Sequence, residues 1–288
     1  MGRTFTLDLK NQTTEIDTTN PPSYNNYVYS GTDQTDRVKA KGVIDVFSVL
    51  GLSIEGEGSP TPTYYTRSNA GQLVDERTSS GTYYYLTDDL GSVVNVVDST
   101  GAVKNSYSYD PFGTSVSKSE TVTNPWQFAG GYLDANTGLY KFGARYYDPS
   151  LGRWTQLDSQ GGGYVYASNV PNMLVDPSGN FTIGLIYGVI ELEGIPLAFV
   201  PIGIYVDVTQ ADMLSQGGNP GLFFLIAGLI STLIGLPTSV GLTIGTIGAA
   251  ITIGVGDAAA YSQANCPGGT VRIETYFTAP GVPLLSCV

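Results

Sequence analysis

The sequence contains no histidine in 288 residues. Ser/His/Asp triads, Cys/His pairs, histidine-based nuclease chemistry and most catalytic zinc sites fall together, because each needs an imidazole near neutral pH. Charge is scarce as well: Asp, Glu, Lys and Arg make up 13% of the chain, roughly half the usual share. The 13 basic residues are scattered among 25 acidic ones for a net charge of −12, so no cationic stripe faces phosphate and nucleic acid is not an expected partner. Cysteine is confined to Cys266 and Cys287. A close pair in an otherwise cysteine-free chain fits an oxidising exterior, where the two either form a disulfide or pack as buried thiols. The opening residues, MGRTFTLDLK, hold no apolar run of the secretory kind, which leaves export by another route or an origin as the end part of a longer protein. No cofactor motif is present.

What the chain has in excess is glycine and tyrosine, 37 and 20 residues. A tyrosine is followed six positions later by glycine at Tyr65/Gly71, Tyr85/Gly91, Tyr107/Gly113 and Tyr146/Gly152. The segments YYTRSNAGQLVDERT, YYYLTDDLGSVVNVVD and YSYDPFGTSVS each read as an aromatic strand, a polar turn and a second short strand. Tyr and Val suit a pleated, half-buried surface, and Asp-Asp-Leu-Gly and Asp-Pro-Phe-Gly supply turns in which glycine takes positive φ. One hairpin cannot bury its own apolar face, so neighbours must stack. The expectation is a series of β-hairpins over residues 1–120, starting as if the array continued upstream.

Several stretches together resemble the RHS/YD-repeat family, which includes the shells of polymorphic toxins and the teneurins. They are YVYSGTDQTDRV, YYYLTDDLGSVVNVVDSTGAV, YSYDPFG, FAGGYLDANTGLYKFGARYYDPSLGRWTQLD and YVYASNVPNMLVDPSG. The resemblance implies that residues 121–179 form the RHS repeat-associated core, which plugs the end of a β-strand cocoon. It also implies self-cleavage after the terminal motif, near Gly179, through Arg145, Asp158 and Asp176. Two carboxylates brought together share one proton, leaving one as base and one as acid, and Arg145 would hold one of them ionised by a bidentate contact. The family pattern differs at two places, where this chain has Asp158-Ser159 and Gly179-Asn180. The simpler reading of both aspartates is that they cap turns. Arg153 and Trp154 read as packing residues.

After residue 179 the composition changes. No charged residue stands between Asp212 and Asp257, and GLFFLIAGLISTLIGLPTSVGLTIGTIGAAITIGVG is long enough for one membrane-spanning helix, or for two shorter ones broken at Pro237. Gly221, Gly228 and Gly235 recur every seven residues and Gly241 and Gly245 form a GxxxG step, spacings that let helices approach closely in lipid. An apolar helical hairpin enclosed by a β shell would read the same way. Phe181–Val206 is a second apolar stretch, but Glu191, Glu193, Pro196 and Pro201 make it a poor lipid-facing helix, better suited to an interfacial or buried place. TVRIETYF alternates like a strand between the cysteines. A Cys266–Cys287 bridge there would contribute on the order of 3 kcal/mol.

The expected architecture is therefore β-rich, stacked hairpins followed by an apolar, mainly α-helical segment over residues 180–288. As a function, the resemblance implies presentation or release of that variable segment as an effector, and the segment's charge-free, glycine-spaced apolar run points to membrane permeabilisation as its activity. The partners would be an upstream YD-repeat shell, a target membrane and an immunity protein, at an extracellular or cell-surface location. The alternative is a structural surface protein anchored by its apolar tail.

Overall fold

The structure, a computed structural model, describes residues 2–31, 34–48, 50–68, 71–157, 163–179, 182–192, 195–209, 270–276 and 279–287. It divides into two units: residues 1–156 with 177–179, and residues 157–176 with 180–288.

The first unit begins with a twelve-stranded sheet in which every strand pairs with its neighbours in sequence. Its strands are β1 (Arg3–Leu7), β2 (Thr13–Thr19), β3 (Pro22–Val28), β4 (Lys39–Ala40), β5 (Val43–Ser48), β6 (Gly51–Glu57), β7 (Thr63–Arg67), β8 (Leu73–Thr78), β9 (Gly81–Thr87), β10 (Val93–Asp98), β11 (Val103–Tyr109) and β12 (Ser115–Glu120). All the pairings are antiparallel, so the hairpin reading of this half holds.

One turn design explains the spacing. In Asp88-Asp-Leu-Gly91 the Gly91 N–H reaches the Asp88 carbonyl at 3.0 Å. The Asp88 carboxylate also accepts from the amides of Leu90 and Ser92 at 3.0 and 2.8 Å. Asp110 repeats this with Phe112 and Thr114 at 2.9 and 2.8 Å. The fourth residue must enter the left-handed region, φ +81° at Gly91 and +88° at Gly113, where a side chain is strained. It leaves a one-residue bulge in the following register, Val93↔Thr87 then Asn95↔Leu86, the usual signature of a three-residue hairpin loop. Asp8 and Asp98 build the same turn, with Asn11 at φ +61° in place of glycine.

Three residues before the turn aspartate, the side chain points to the buried face. In β9 Tyr83 and Tyr85 are buried while Tyr84 between them is exposed, the period of two that a half-buried strand imposes. Each repeat tyrosine then donates its phenol to a carboxylate on a neighbouring strand: Tyr65 to Glu55 at 2.7 Å, Tyr85 to Glu76 at 2.7 Å and Tyr107 to Glu120 at 2.6 Å. A buried hydroxyl and, at Glu76, a buried carboxylate are each costly alone, and pairing removes most of that cost.

A second sheet of the same unit consists of β13 (Tyr132–Asp134), β14 (Leu139–Phe142), β15 (Arg145–Asp148) and β16 (Arg153–Trp154). It packs on the tyrosine face of the first. Trp126 stands edge-on to Tyr65 and Tyr132, ring centroids 5.6 and 5.5 Å away, and the Arg67 guanidinium lies 4.7 Å above it. Tyr132 shares Glu55 with Tyr65. Phe128 sits so close to Gly113 that a Cβ there would overlap its ring. At the other end Arg3 of β1 binds Asp148 and the Thr137 carbonyl. The fourth Tyr/Gly pair proves different: Tyr146 is buried in β15, and its turn at Asp148 closes on Leu151 rather than on the glycine.

The described part of residues 180–288 is strand, which corrects the mainly helical expectation where it can be compared. β17 (Leu174–Val175), β18 (Thr182–Leu192), β19 (Ile195–Thr209), β20 (Thr270–Tyr276) and β21 (Ala279–Cys287) form an antiparallel five-stranded sheet. The stretch 181–206, read as interfacial or buried helix, is instead largely the β18–β19 hairpin. Its Ile, Val, Thr and Tyr content favours extended backbone, and Pro196 and Pro201 lie at the two register irregularities of that pair, Ile190/Glu191 and Ile186/Tyr187, where strands tolerate proline. Among the described residues no helix is long and apolar enough to cross a membrane. The apolar run GLFFL to GVG, with its glycine spacings, lies outside the described residues.

Candidate processing site

The residues that the family resemblance assigned to chain cleavage meet the structure unequally. Asp158 lies outside the described residues. Asp176 follows β17 directly and is buried, 3% exposed. Arg145 opens β15, 4% exposed, with its guanidinium 4.2 Å over the ring of Trp154. That stacking flattens the guanidinium against a hydrophobic plate and fixes where its donors aim. Trp154 is held by edge-on contacts to Phe142 and Tyr147 at 5.9 and 5.7 Å. The packing role read for it is apt, whereas Arg153 is exposed.

The segment Pro177–Gly179 belongs to the first unit and runs beside the turn that joins β14 to β15. Ala144 N–H donates to the Ser178 carbonyl at 2.7 Å, and Arg145 Nε–H donates to the Gly179 carbonyl. The approach requires glycine on both sides. Gly143 has φ +32° and a Cβ on it would collide with the Ser178 carbonyl. Gly179 has φ +70°, and its Cβ would stand 2.8 Å from the Phe142 carbonyl and 2.9 Å from the Arg145 nitrogen. Lys141 Nζ caps the Gly143 carbonyl within the same turn. Arg145 Nε thus lies on a peptide carbonyl, that of the bond between Gly179 and Asn180. A cation at a carbonyl oxygen draws electron density from the carbonyl carbon and stabilises negative charge arriving on that oxygen.

Gly143 and Ala144 were missed by sequence reasoning. Their signal was the FGAR tetrapeptide, whose glycine opens a two-residue hairpin loop, the length that most requires positive φ. Cys287 ends β21, and Cys266 lies outside the described residues. Among the described residues no group of three or more Asp, Glu or Cys side chains is arranged to hold a metal ion.

The sequence model of the Teneurin YD-shell family matches residues 60–172. The tRNA nuclease WapA of Bacillus subtilis (strain 168) is 34% identical over 129 residues, which cover 41% of this chain and 6% of WapA. Toxin protein Tse5 of Pseudomonas aeruginosa is 30% identical over 135 residues, 45% of this chain and 10% of Tse5. The chain thus spans a tenth or less of the length of these relatives. Among solved structures, the crystal structure of TcdB2-TccC3-Cdc42 superposes with a TM-score of 0.50 at 21% identity, over 62% of this chain and 10% of that one, a likeness of fold. Tyrosine hairpins closed by Asp-x-x-Gly turns, together with the match of the family's own sequence model, make residues 60–172 similar to a segment of the Teneurin YD-shell family.

Proposed function

We propose that this chain is an RHS/YD core module that presents, and by self-cleavage near Gly179 releases, the variable segment 180–288 as an effector in competition between cells. The observation that carries this reading is the Arg145 guanidinium on the Gly179 carbonyl, at the boundary between shell-family sequence and the apolar tail. Asp158 and Asp176 act as an aspartyl pair: one carboxylate takes a proton from water, the other protonates the leaving nitrogen of Asn180. The names of Tse5 and WapA, a toxin and a nuclease, support a delivery role for the shared region. The proposed division is 1–120 for the hairpins, 121–179 for the core and 180–288 for the effector, at the cell surface or outside it. The partners are further YD-repeat shell, an immunity protein and a target membrane. A Cys266–Cys287 bridge would staple the last strands outside the cytosol.

For the effector, membrane permeabilisation is the reading that the charge-free stretch between Asp212 and Asp257 supports. Intact-mass analysis tests the cleavage. The wild-type chain should appear as two fragments divided after Gly179, and Asp158→Asn or Asp176→Asn as one species of 30.4 kDa. A wild-type chain that stays whole would refute self-processing. The processed protein should then release dye from anionic liposomes; binding with the dye retained would instead favour the surface-anchor role.

A further inference from the structure

We propose that the β14–β15 turn, Phe142 to Arg145, is a binding site for a C-terminal glycine carboxylate, which it acquires when the bond after Gly179 is hydrolysed. The proposal rests on the cleavage reading above and says what happens to the shell side of the cut. In hydrolysis the oxygen of water bonds to the Gly179 carbonyl carbon, the C–N bond to Asn180 breaks, and a proton passes to the departing amine. The products are a carboxylate at Gly179 and an amine at Asn180.

The turn already grips the residues on one side of that bond. It holds Ser178 through Ala144 N–H at 2.7 Å and Gly179 through Arg145 Nε–H. Neither contact involves anything beyond Gly179, so neither is lost when the tail departs. The first is unchanged, and the second improves in kind. Before the cut Arg145 Nε faces a neutral carbonyl; afterwards it faces a carboxylate, and charge-assisted hydrogen bonds are about twice as strong as neutral ones. Burial of Arg145 and its seat on Trp154 keep water from screening the pair. The site is selective for glycine, since a side chain at 179 would meet the Phe142 carbonyl and the Arg145 nitrogen. Resynthesis of the peptide bond would require that carboxylate to leave its guanidinium, so the clamp makes the cut one-way. It also anchors 177–179 to the shell while 180–288 goes free.

The amide of Ala144 reports on the clamp, because its partner is Ser178. Hydrogen exchange at this amide is to be compared in full-length processed wild type and in the uncleaved Asp158→Asn chain, with Gly143→Ala, whose fold is checked by circular dichroism, as the broken-clamp reference. Ala144 in the processed chain should exchange no faster than in the uncleaved one, and at least about a hundredfold slower than in Gly143→Ala. Cleavage accompanied by exchange as fast as in Gly143→Ala would overturn the clamp and leave self-processing intact. A chain that remains whole by mass removes self-processing and the carboxylate site with it. Should Gly143→Ala fail to fold, the processed and uncleaved chains still decide the matter between themselves.

Discussion

Arg37→Ala is expected to destabilise the first unit by about 3 kcal/mol, read as a lowered urea midpoint with an unchanged slope, because it breaks a buried ion pair. Arg37 is 5% exposed and lies between two tyrosine rings, 5.0 Å from the centroid of Tyr27 and 5.0 Å from that of Tyr132. Its Nη1 is 3.8 Å from Asp134 Oδ2 and 3.4 Å from the Tyr146 hydroxyl. Asp134 is itself buried and keeps three other donors, the Tyr27 hydroxyl at 2.9 Å, the Asn136 amide at 3.1 Å and Lys41 Nζ at 3.4 Å. The loss therefore stops short of a wholly stranded carboxylate and sits at the lower end of what such deletions cost. Arg37→Lys should retain part of the stability: it preserves charge but not a flat surface for two rings. A lysine variant as stable as wild type would show that the rings contribute nothing.

Glu76→Gln is expected to stabilise the protein at pH 8 by about 2 kcal/mol and to change little at pH 5. Glu76 is fully buried. Its Oε2 accepts from Tyr85 at 2.7 Å, and its Oε1 has no hydrogen-bond partner among the described residues. Burial pushes its carboxyl up to about 7, against the lowering effect of the Tyr85 hydroxyl, with Glu55 and Glu120 raising it further. The folded chain thus binds a proton at Glu76 between about pH 4.5 and 7, where the unfolded chain has lost it. Stability falls as pH rises through that window, and the whole penalty remains above it. Asp45, raised to about 6 by burial and by Glu55, adds a slope of the same sign, so the wild type should be more stable at pH 5 than at pH 8. Subtracting the urea-derived stabilities of wild type and Glu76→Gln at each pH isolates Glu76. A difference that does not change with pH would mean that Glu76 is ionised throughout.

The hairpins were legible because their turn chemistry is local. Tyr85, Asp88 and Gly91 act within seven residues, and the physics that couples them is the same as at Tyr107, Asp110 and Gly113. Two further turns of this design escaped the tyrosine search, because Phe5 and Asn95 occupy the strand position and Asn11 replaces glycine. The aspartate, whose carboxylate does the capping, was the better marker. The β18–β19 pair was not legible: an apolar stretch broken by two prolines has no period of its own, and only the partner strand reveals that both prolines sit at bulges. In the candidate site the charge of Arg145 could be read, but its acceptor, 34 residues along, is set by tertiary approach. No spacing rule links Gly143 to Ser178.

The neighbour-to-neighbour order of the twelve strands has a consequence for the time course of synthesis. Each strand finds its partner a few residues back, so closing every loop costs little entropy and the sheet can zip behind the ribosome one hairpin at a time. The contacts that tie the two ends of the first unit are of the opposite kind. Arg3 waits for Asp148, 145 residues later, and Tyr27 for Asp134, 107 residues later. The half-made chain therefore carries an assembled sheet whose tyrosine face is still bare until residues 121–156 emerge, an interval in which that face is open to a chaperone or to aggregation.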